Sequence, residues 1–194
     1  MNTVAIIQAR MNSTRLPDKV LMDIKGKPML QHIVDRARAS NVDNVVVATI
    51  KSSHQIITYC KNNNIFYHDQ DDIAQLDLLT RFIESGRKYT ADIIVRLWGD
   101  SPLIRTEDIN FALDAHNIFK PDYTFHNRGA GVFTFGKLIK WNVMYGGQDR
   151  ENFHALMLND LDVTHRVGQS LPFKGSVDTM EDLEFIRGIY ELLP

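Results

Sequence analysis

Cysteine is almost absent from this 194-residue chain, with Cys60 the single example. That excludes an internal disulfide and a thiolate-rich zinc site. Its neighbours Ile56-Ile57-Thr58-Tyr59 place Cys60 in an apolar-periodic segment, where a lone cysteine is a small buried hydrophobe. The seven histidines show no metal-ligand spacing, and none is assigned to catalysis. No apolar run approaches the roughly 18–20 residues of a membrane-spanning helix. The opening Met1-Asn2-Thr3 enters a short apolar run without the charged and long apolar regions of a signal peptide, so the expected location is the cytoplasm. An excess of positive charge is missing too. Lysine and arginine total 22 against 24 acids, a net charge of −2, which argues against nucleic acid or a membrane surface as partner. A local basic pocket for one small polyanion remains open.

The composition that is present is that of an ordinary globular protein, 44% hydrophobic and 24% charged. There is no repeat, low-complexity tract or linker, and one domain over residues 1–194 is expected. Short β-branched runs alternate with helical spacing. Val4-Ala5-Ile6-Ile7, Val45-Val46-Val47-Ala48, Ile65-Phe66-Tyr67 and Ile93-Ile94-Val95 read as strands. Between them, helical patterns run from Pro28 through Ala37, from Ser53 to Asn63 and from Ile73 to Tyr89. Beyond Pro102 the pattern predicts a helix from Glu107 to His116, strands at 123–125, 132–135 and 173–177, a turn at 129–131, and helices at 149–158 and 179–192. This alternation predicts an α/β fold with a mostly parallel central sheet. Right-handed crossovers then bring the loops after Ile7, Ala48 and Val95 to one crevice.

The first of those loops holds the densest chemistry. Gln8-Ala9-Arg10-Met11-Asn12-Ser13-Thr14-Arg15-Leu16-Pro17-Asp18-Lys19 carries three cations, two hydroxyls and a run of backbone N–H groups. A triphosphate needs fixed donors, planar guanidinium forks and a compact ammonium, although a solvated surface loop has the same composition. The Gly-x-Gly-x-x-Gly fingerprint of dinucleotide folds is absent, as is the Gly-Lys-Ser/Thr ending of a P-loop. Two carboxylates also stand out. In Gly99-Asp100-Ser101-Pro102, Asp100 follows a strand and is either a hard oxygen ligand for magnesium or a turn residue. In Val177-Asp178-Thr179-Met180-Glu181-Asp182, Asp178 ends the expected late strand, while Thr179 and Asp182 have the spacing of a capping box.

The run Ile7 to Leu21, with Gly26-Lys27-Pro28-Met29-Leu30, closely resembles the opening of cytidylyltransferases of the spore-coat-polysaccharide, acylneuraminate and 3-deoxy-manno-octulosonate types. Gly99-Asp100-Ser101-Pro102-Leu103 and Val177-Asp178-Thr179-Met180-Glu181-Asp182-Leu183 resemble that family's later segments. The resemblance implies a three-layer nucleotide-diphosphosugar transferase (Rossmann-like) fold. It also implies transfer of CMP from CTP to an acidic sugar of the 2-keto-3-deoxy type, or a related acidic acceptor, with release of pyrophosphate. It carries catalytic roles to Arg10, Lys19 and Asp100, and nucleotide contacts to Ala9, Arg10, Ser13, Arg15, Lys19, Ala48 and Thr49. Mg²⁺ would sit on Asp100 and Asp178, and the expected partners are CTP and an acidic small molecule, with a homodimer left open. Asn12 and Asp18 stand where the family has glycine; Asn12 is expected to keep a positive-φ turn, and Asp18 to pair with Lys19 or Arg15. Trp98 is expected in the core, and Asp149-Arg150-Glu151-Asn152 either touches substrate or starts a helix.

Two rival classes remain. A glycosyltransferase on a similar fold would use an Asp-x-Asp metal motif, for which Asp69-Gln70-Asp71 has the spacing. A non-catalytic nucleotide-binding regulatory protein would account for Asp18 and for a middle segment, about 123–149, shorter than in the enzymes it resembles.

Overall fold

Runs of β-branched residues become the centre of a sheet because no polar side chain interrupts their burial on both faces. In the computed structural model, which describes residues 1–72, 77–144, 150, 153 and 164–193, β1 (Thr3–Gln8), β4 (Asn44–Ile50) and β6 (Ile93–Trp98) are buried almost end to end. The small antiparallel ribbon of β2 (Asp23–Ile24) and β3 (Lys27–Pro28) stands apart from them. With β5 (Phe66–Gln70), β7 (Tyr123–His126), β8 (Ala130–Thr134) and β9 (Thr164–Val167), the described residues form one seven-stranded sheet of order β5-β4-β1-β6-β8-β7-β9. Pairings β5–β4, β4–β1, β1–β6 and β7–β9 are parallel, and β6–β8 and β8–β7 are antiparallel. The expected mostly parallel α/β sheet is therefore what the chain builds.

Helices cover both faces. On one lie α1 (Met29–Arg38), α2 (His54–Asn62) and α4 (Thr106–Phe119), whose Leu30, Ile33, Ile56, Cys60 and Ile109 join Ile7, Val47 and Val95 in one core. On the other lie α3 (Leu78–Lys88) and α5 (Phe135–Met144), where Leu79, Phe82, Leu138 and Trp141 pack on Val4, Ile6 and Ile94. Full burial of each such aliphatic or aromatic side chain stabilises by roughly 1.5–3 kcal/mol. Cys60 is wholly buried as expected, and burial pushes its thiol up to about 12. Among the described residues no helix is long and apolar enough to cross a membrane.

The last helix, α6 (Met180–Leu192), begins at the expected capping box: the Thr179 hydroxyl accepts from the Asp182 N–H, and the Asp182 carboxylate accepts from the Thr179 N–H. Its Leu183, Ile186 and Tyr190 close a third core with Leu16, Ile24 and Val177, tying the helix to the segment after β1. The strand expected at 173–177 does not form. Val177 instead donates its N–H to the Asp100 carbonyl at 2.8 Å, and Phe173 is 39% exposed. The polar run Thr164–Val167 pairs with β7 in its place at the sheet edge. Phe135, expected in a strand, opens α5. The first residues of the helix expected from Ile73, and all of the expected 149–158 helix apart from Arg150 and Phe153, lie outside the described residues.

Candidate active site

The parallel strands β1 and β6 end side by side, with Gln8 opposite Trp98, and the loops that leave them form the site. Gly99 permits this closeness: its N–H donates to the Gln8 carbonyl at 2.9 Å, and a Cβ there would meet that oxygen at 2.5 Å. Across β1, the Ala9 N–H donates to the Ala48 carbonyl, and the Met11 N–H donates to the buried Ser53 hydroxyl. These bonds hold the start of the loop against β4 and the turn before α2. The chain then folds back, with the Asp18 N–H donating to the Met11 carbonyl, and enters a 3-10 turn at Lys19–Leu21.

Asp18 takes φ +59°, a left-handed conformation that favours glycine. The resemblance placed glycine at two positions here, and the turn needs it at this one; Asn12 has no positive φ. Asp18 is exposed, does not line the cavity, and has no ion pair among the described residues, so the expected pairing with Lys19 or Arg15 does not form. Aspartate tolerates the left-handed region better than most residues, so the turn survives without glycine.

Lys19 is the hub. Its side chain is only 9% exposed, and its ammonium donates to Asp100 Oδ2 at 2.6 Å, to the Val177 carbonyl at 2.6 Å and to Asp178 Oδ1 at 3.2 Å. Arg15 reaches Asp178 Oδ1 at 2.8 Å from a mostly exposed position, and Lys174 reaches Asp178 Oδ2 at 3.0 Å. Burial pushes the Asp178 carboxyl up, but hydrogen bonds from Lys174 and Lys19 more than offset it and hold the group below the usual carboxylate range. Asp100 and Asp178 do meet at one edge, although Asp178 arrives on the irregular segment before α6 and not on a strand. Arg10 makes no hydrogen bond or ion pair among the described residues and faces the same cavity.

That cavity, about 350 Å³, takes in Ala9, Arg10, Ser13, Arg15, Lys19, Asp100 and Asp178. Ala48 and Thr49 are outside its lining; Thr49 is wholly buried, and its hydroxyl has no partner. Three further side chains line it that the sequence reading passed over: Leu78, Arg81 and Arg96. Arg96 is fully buried in mid-strand, and burial lowers its guanidinium to about 10, still charged at neutral pH. Trp98 lies on the same face of β6, with the Arg96 guanidinium 4.3 Å from its ring; it is a half-buried wall residue, not the core filler expected. A cation two residues before an aromatic in a strand was the available signal, because period-two alternation puts both on one face.

A second cavity of about 500 Å³ shares Trp98, Asp100 and Asp178 with the first. Its described lining also includes hydroxyl and amide groups from Ser101, Ser176 and Asn127, the rings of Phe125 and Phe173, and one cation, Arg128. Arg150, for which either substrate contact or a helix start was open, binds both the start of α3 and α5, donating to Asp77 Oδ2 at 2.9 Å and to Asn142 Oδ1 at 2.7 Å. Asp149, Glu151 and Asn152 lie outside the described residues. Asp69 and Asp71 line neither cavity, and Asp71 pairs with Lys51 at the surface, so the Asp-x-Asp spacing of a glycosyltransferase falls away from the site.

Two aspartates supply the hard oxygen donors that magnesium or a similar divalent ion prefers, usually with phosphate oxygens and water completing the shell. The Lys19 ammonium lies between them, compensating their charge. No cluster of three or more acidic, histidine or cysteine side chains that could hold a metal ion exists among the described residues.

Comparison with known proteins agrees with this architecture. The sequence pattern of the family described as Cytidylyltransferase matches residues 4–144. A 3-deoxy-manno-octulosonate cytidylyltransferase of Yersinia pseudotuberculosis is 39% identical over 104 residues, 54% of this chain and 42% of that protein. The chain thus spans less than half the length of that curated relative. Among solved structures, a cytidylyltransferase from Leptospira borgpetersenii superposes with a TM-score of 0.89 at 24% identity, covering 100% of this chain and 88% of the other. CMP:2-keto-3-deoxy-manno-octonic acid synthetase complexed with CTP gives 0.81 at 22% identity, covering 99% of each. At those identities the two superpositions speak for the fold, while the sequence pattern over most of the length speaks for descent: the chain belongs to the cytidylyltransferase family.

Proposed function

We propose that the chain transfers CMP from CTP to an acidic sugar of the 2-keto-3-deoxy type, or to a related acidic acceptor, with release of pyrophosphate. The observation that carries this reading is the position of Asp100 and Asp178, which meet at Lys19 and form the shared wall of two cavities. One cavity is lined by the basic loop and suits a triphosphate. The other joins hydroxyl and amide groups with aromatic rings and the single cation Arg128, which suits a polyhydroxylated molecule with one carboxylate. The two ligands then come together at the aspartates, where the acceptor oxygen attacks the α-phosphorus, the bond from that phosphorus to the β-phosphate oxygen breaks, and pyrophosphate leaves.

The chain's contribution is positioning and charge compensation. Backbone N–H groups and the hydroxyls of Ser13 and Thr14 hold phosphate oxygens, and Arg10, Arg15 and Lys19 oppose their charge. Asp100 and Asp178 would hold Mg²⁺, which supplies Lewis-acid stabilisation of the phosphate oxygens when bound. Trp98 lines both cavities beside the two aspartates.

Asp18 lines neither cavity and so gives the regulatory alternative no support at the site. Pyrophosphate release from CTP, UTP, ATP and GTP with Mg²⁺, over a panel of acidic sugars, tests the proposal. Release that requires both CTP and an acidic acceptor is expected. Tight CTP binding with no turnover across the panel would overturn the catalytic reading.

A further inference from the structure

The 350 Å³ cavity crosses the edge of the sheet. Near the phosphate-suited loop it is lined by Val20, part of the core on the α1 side. Its other end is lined by Leu78, part of the core on the α3 side, and by Arg96, whose guanidinium lies 5.5 Å from the Phe82 ring and 5.2 Å from the Phe153 ring. A ligand that fills the cavity therefore runs from one face of the sheet to the other, with the phosphate-suited loop at the first end and Leu78, Arg81 and Arg96 at the second.

At the second end a donor lacks an acceptor. Arg96 Nε and Nη2 both donate to Gln8 Oε1, at 3.0 and 2.7 Å, while Nη1 is buried with no hydrogen-bond partner. No carboxylate forms an ion pair with Arg96 among the described residues; Phe82, Trp98 and Phe153 offer only π-faces, and the nearby Tyr123 hydroxyl, itself buried without a partner, makes no hydrogen bond to it. A buried unmet donor is unfavourable, and more so on a cation. A lone pair brought in by the ligand removes that penalty, so binding energy is concentrated at this atom.

We propose that Arg96 Nη1 reads the nucleobase, donating to the O2/N3 edge of cytosine when the triphosphate lies on the Gln8–Lys19 loop. The inference rests on the CTP reading and adds to it a residue that selects the base. Arginine is a donor only. Cytosine presents two neighbouring acceptors on that edge, O2 and N3, whereas uracil carries a hydrogen at N3 and sets a donor against a donor. Gln8 is then a positioning residue: by accepting from Nε and Nη2 it turns the third nitrogen toward the ligand.

Calorimetric titration of the whole chain and of Arg96→Met and Arg96→Lys with CTP, UTP and inorganic tripolyphosphate, in Mg²⁺ and without acceptor, tests this. Methionine suits the aromatic surroundings, so Arg96→Met is expected to fold, and Arg96→Lys serves if it does not. The expected result is a roughly 10- to 100-fold loss of CTP affinity in Arg96→Met, a smaller loss in Arg96→Lys, and loss of the preference for CTP over UTP. Tripolyphosphate affinity should stay within about twofold. An equal fall for CTP and tripolyphosphate, or unchanged CTP affinity, overturns the inference alone. If the unaltered chain binds tripolyphosphate as well as CTP, the CTP reading fails and the base-reading role fails with it.

Discussion

Asp100→Asn is expected to lower CTP-dependent pyrophosphate release by roughly a hundred- to a thousand-fold while leaving the fold intact. The amide keeps the volume of the carboxylate and still offers Lys19 an acceptor at the position of Asp100 Oδ2. What it lacks is the charge that makes the oxygen a strong ligand for a hard divalent cation. The backbone of Asp100 is unaffected, so its carbonyl still receives the Val177 N–H and the segment before α6 stays docked. Initial rates at saturating CTP and acceptor, with a melting curve for each protein, measure the two effects separately. Turnover within about threefold of the unaltered chain would remove Asp100 from the metal assignment.

Lys19→Met is expected to damage both stability and turnover. The ammonium is the charge that lets two part-buried carboxylates face each other, with Asp100 and Asp178 side chains 26% and 17% exposed. Breaking a fully buried pair costs about 3–5 kcal/mol, and the partial exposure here reduces the expected loss to about 2 kcal/mol in metal-free buffer at neutral pH. The effect depends on pH in a definite direction. Asp178 has a lowered folded-state value, so its contribution is present above the unfolded carboxylate range and is lost as pH falls through the folded value. The difference between the two proteins should therefore shrink at acidic pH, as the Asp178 carboxyl takes up a proton below the usual carboxylate range. Mg²⁺ should recover part of the loss at neutral pH by placing a cation where the ammonium was. Urea midpoints at both pH values, with and without Mg²⁺, decide it; a variant that gains nothing from Mg²⁺ would contradict a metal site on this pair.

Much of this arrangement could be read from the residues because its elements have unambiguous patterns. β1, β4 and β6 are continuous apolar runs too short to be helices, and each forms the buried strand that such a run implies. The Gln8–Lys19 loop stood out by its density of cations, a composition that a surface loop shares and that only the family resemblance resolves, and Thr179 with Asp182 was legible from the spacing of a capping box. The edge of the sheet was less legible. Thr164–Val167 carries no apolar alternation and owes its strand conformation to pairing with β7, whereas 173–177 has some apolar character but spends its Val177 N–H on Asp100. Local pattern does not encode such distant partners. The same holds within the site: a buried arginine in mid-strand contradicts the usual placement of charge, and only the position of Gln8 on the neighbouring strand explains how Arg96 is accommodated. Asp18 shows the reverse case, where an expected pairing of charges failed because backbone conformation, not electrostatics, governs that position.

The contact between Lys19 and Val177 also bears on how fast the site comes apart. Those residues lie 158 positions apart along the chain, so their meeting closes one of the longest loops in the molecule. Contacts of such separation form after the local and strand-neighbour contacts, because loop-closure entropy must first be met. The aspartate pair is consequently completed late in folding, and interactions made there belong to the native state more than to the transition state. A ligand or ion held between Asp100 and Asp178 thus ties the late segment before α6 to the end of β6, slowing unfolding while leaving the folding rate nearly unchanged, as stopped-flow measurements with and without Mg²⁺ and CTP would register.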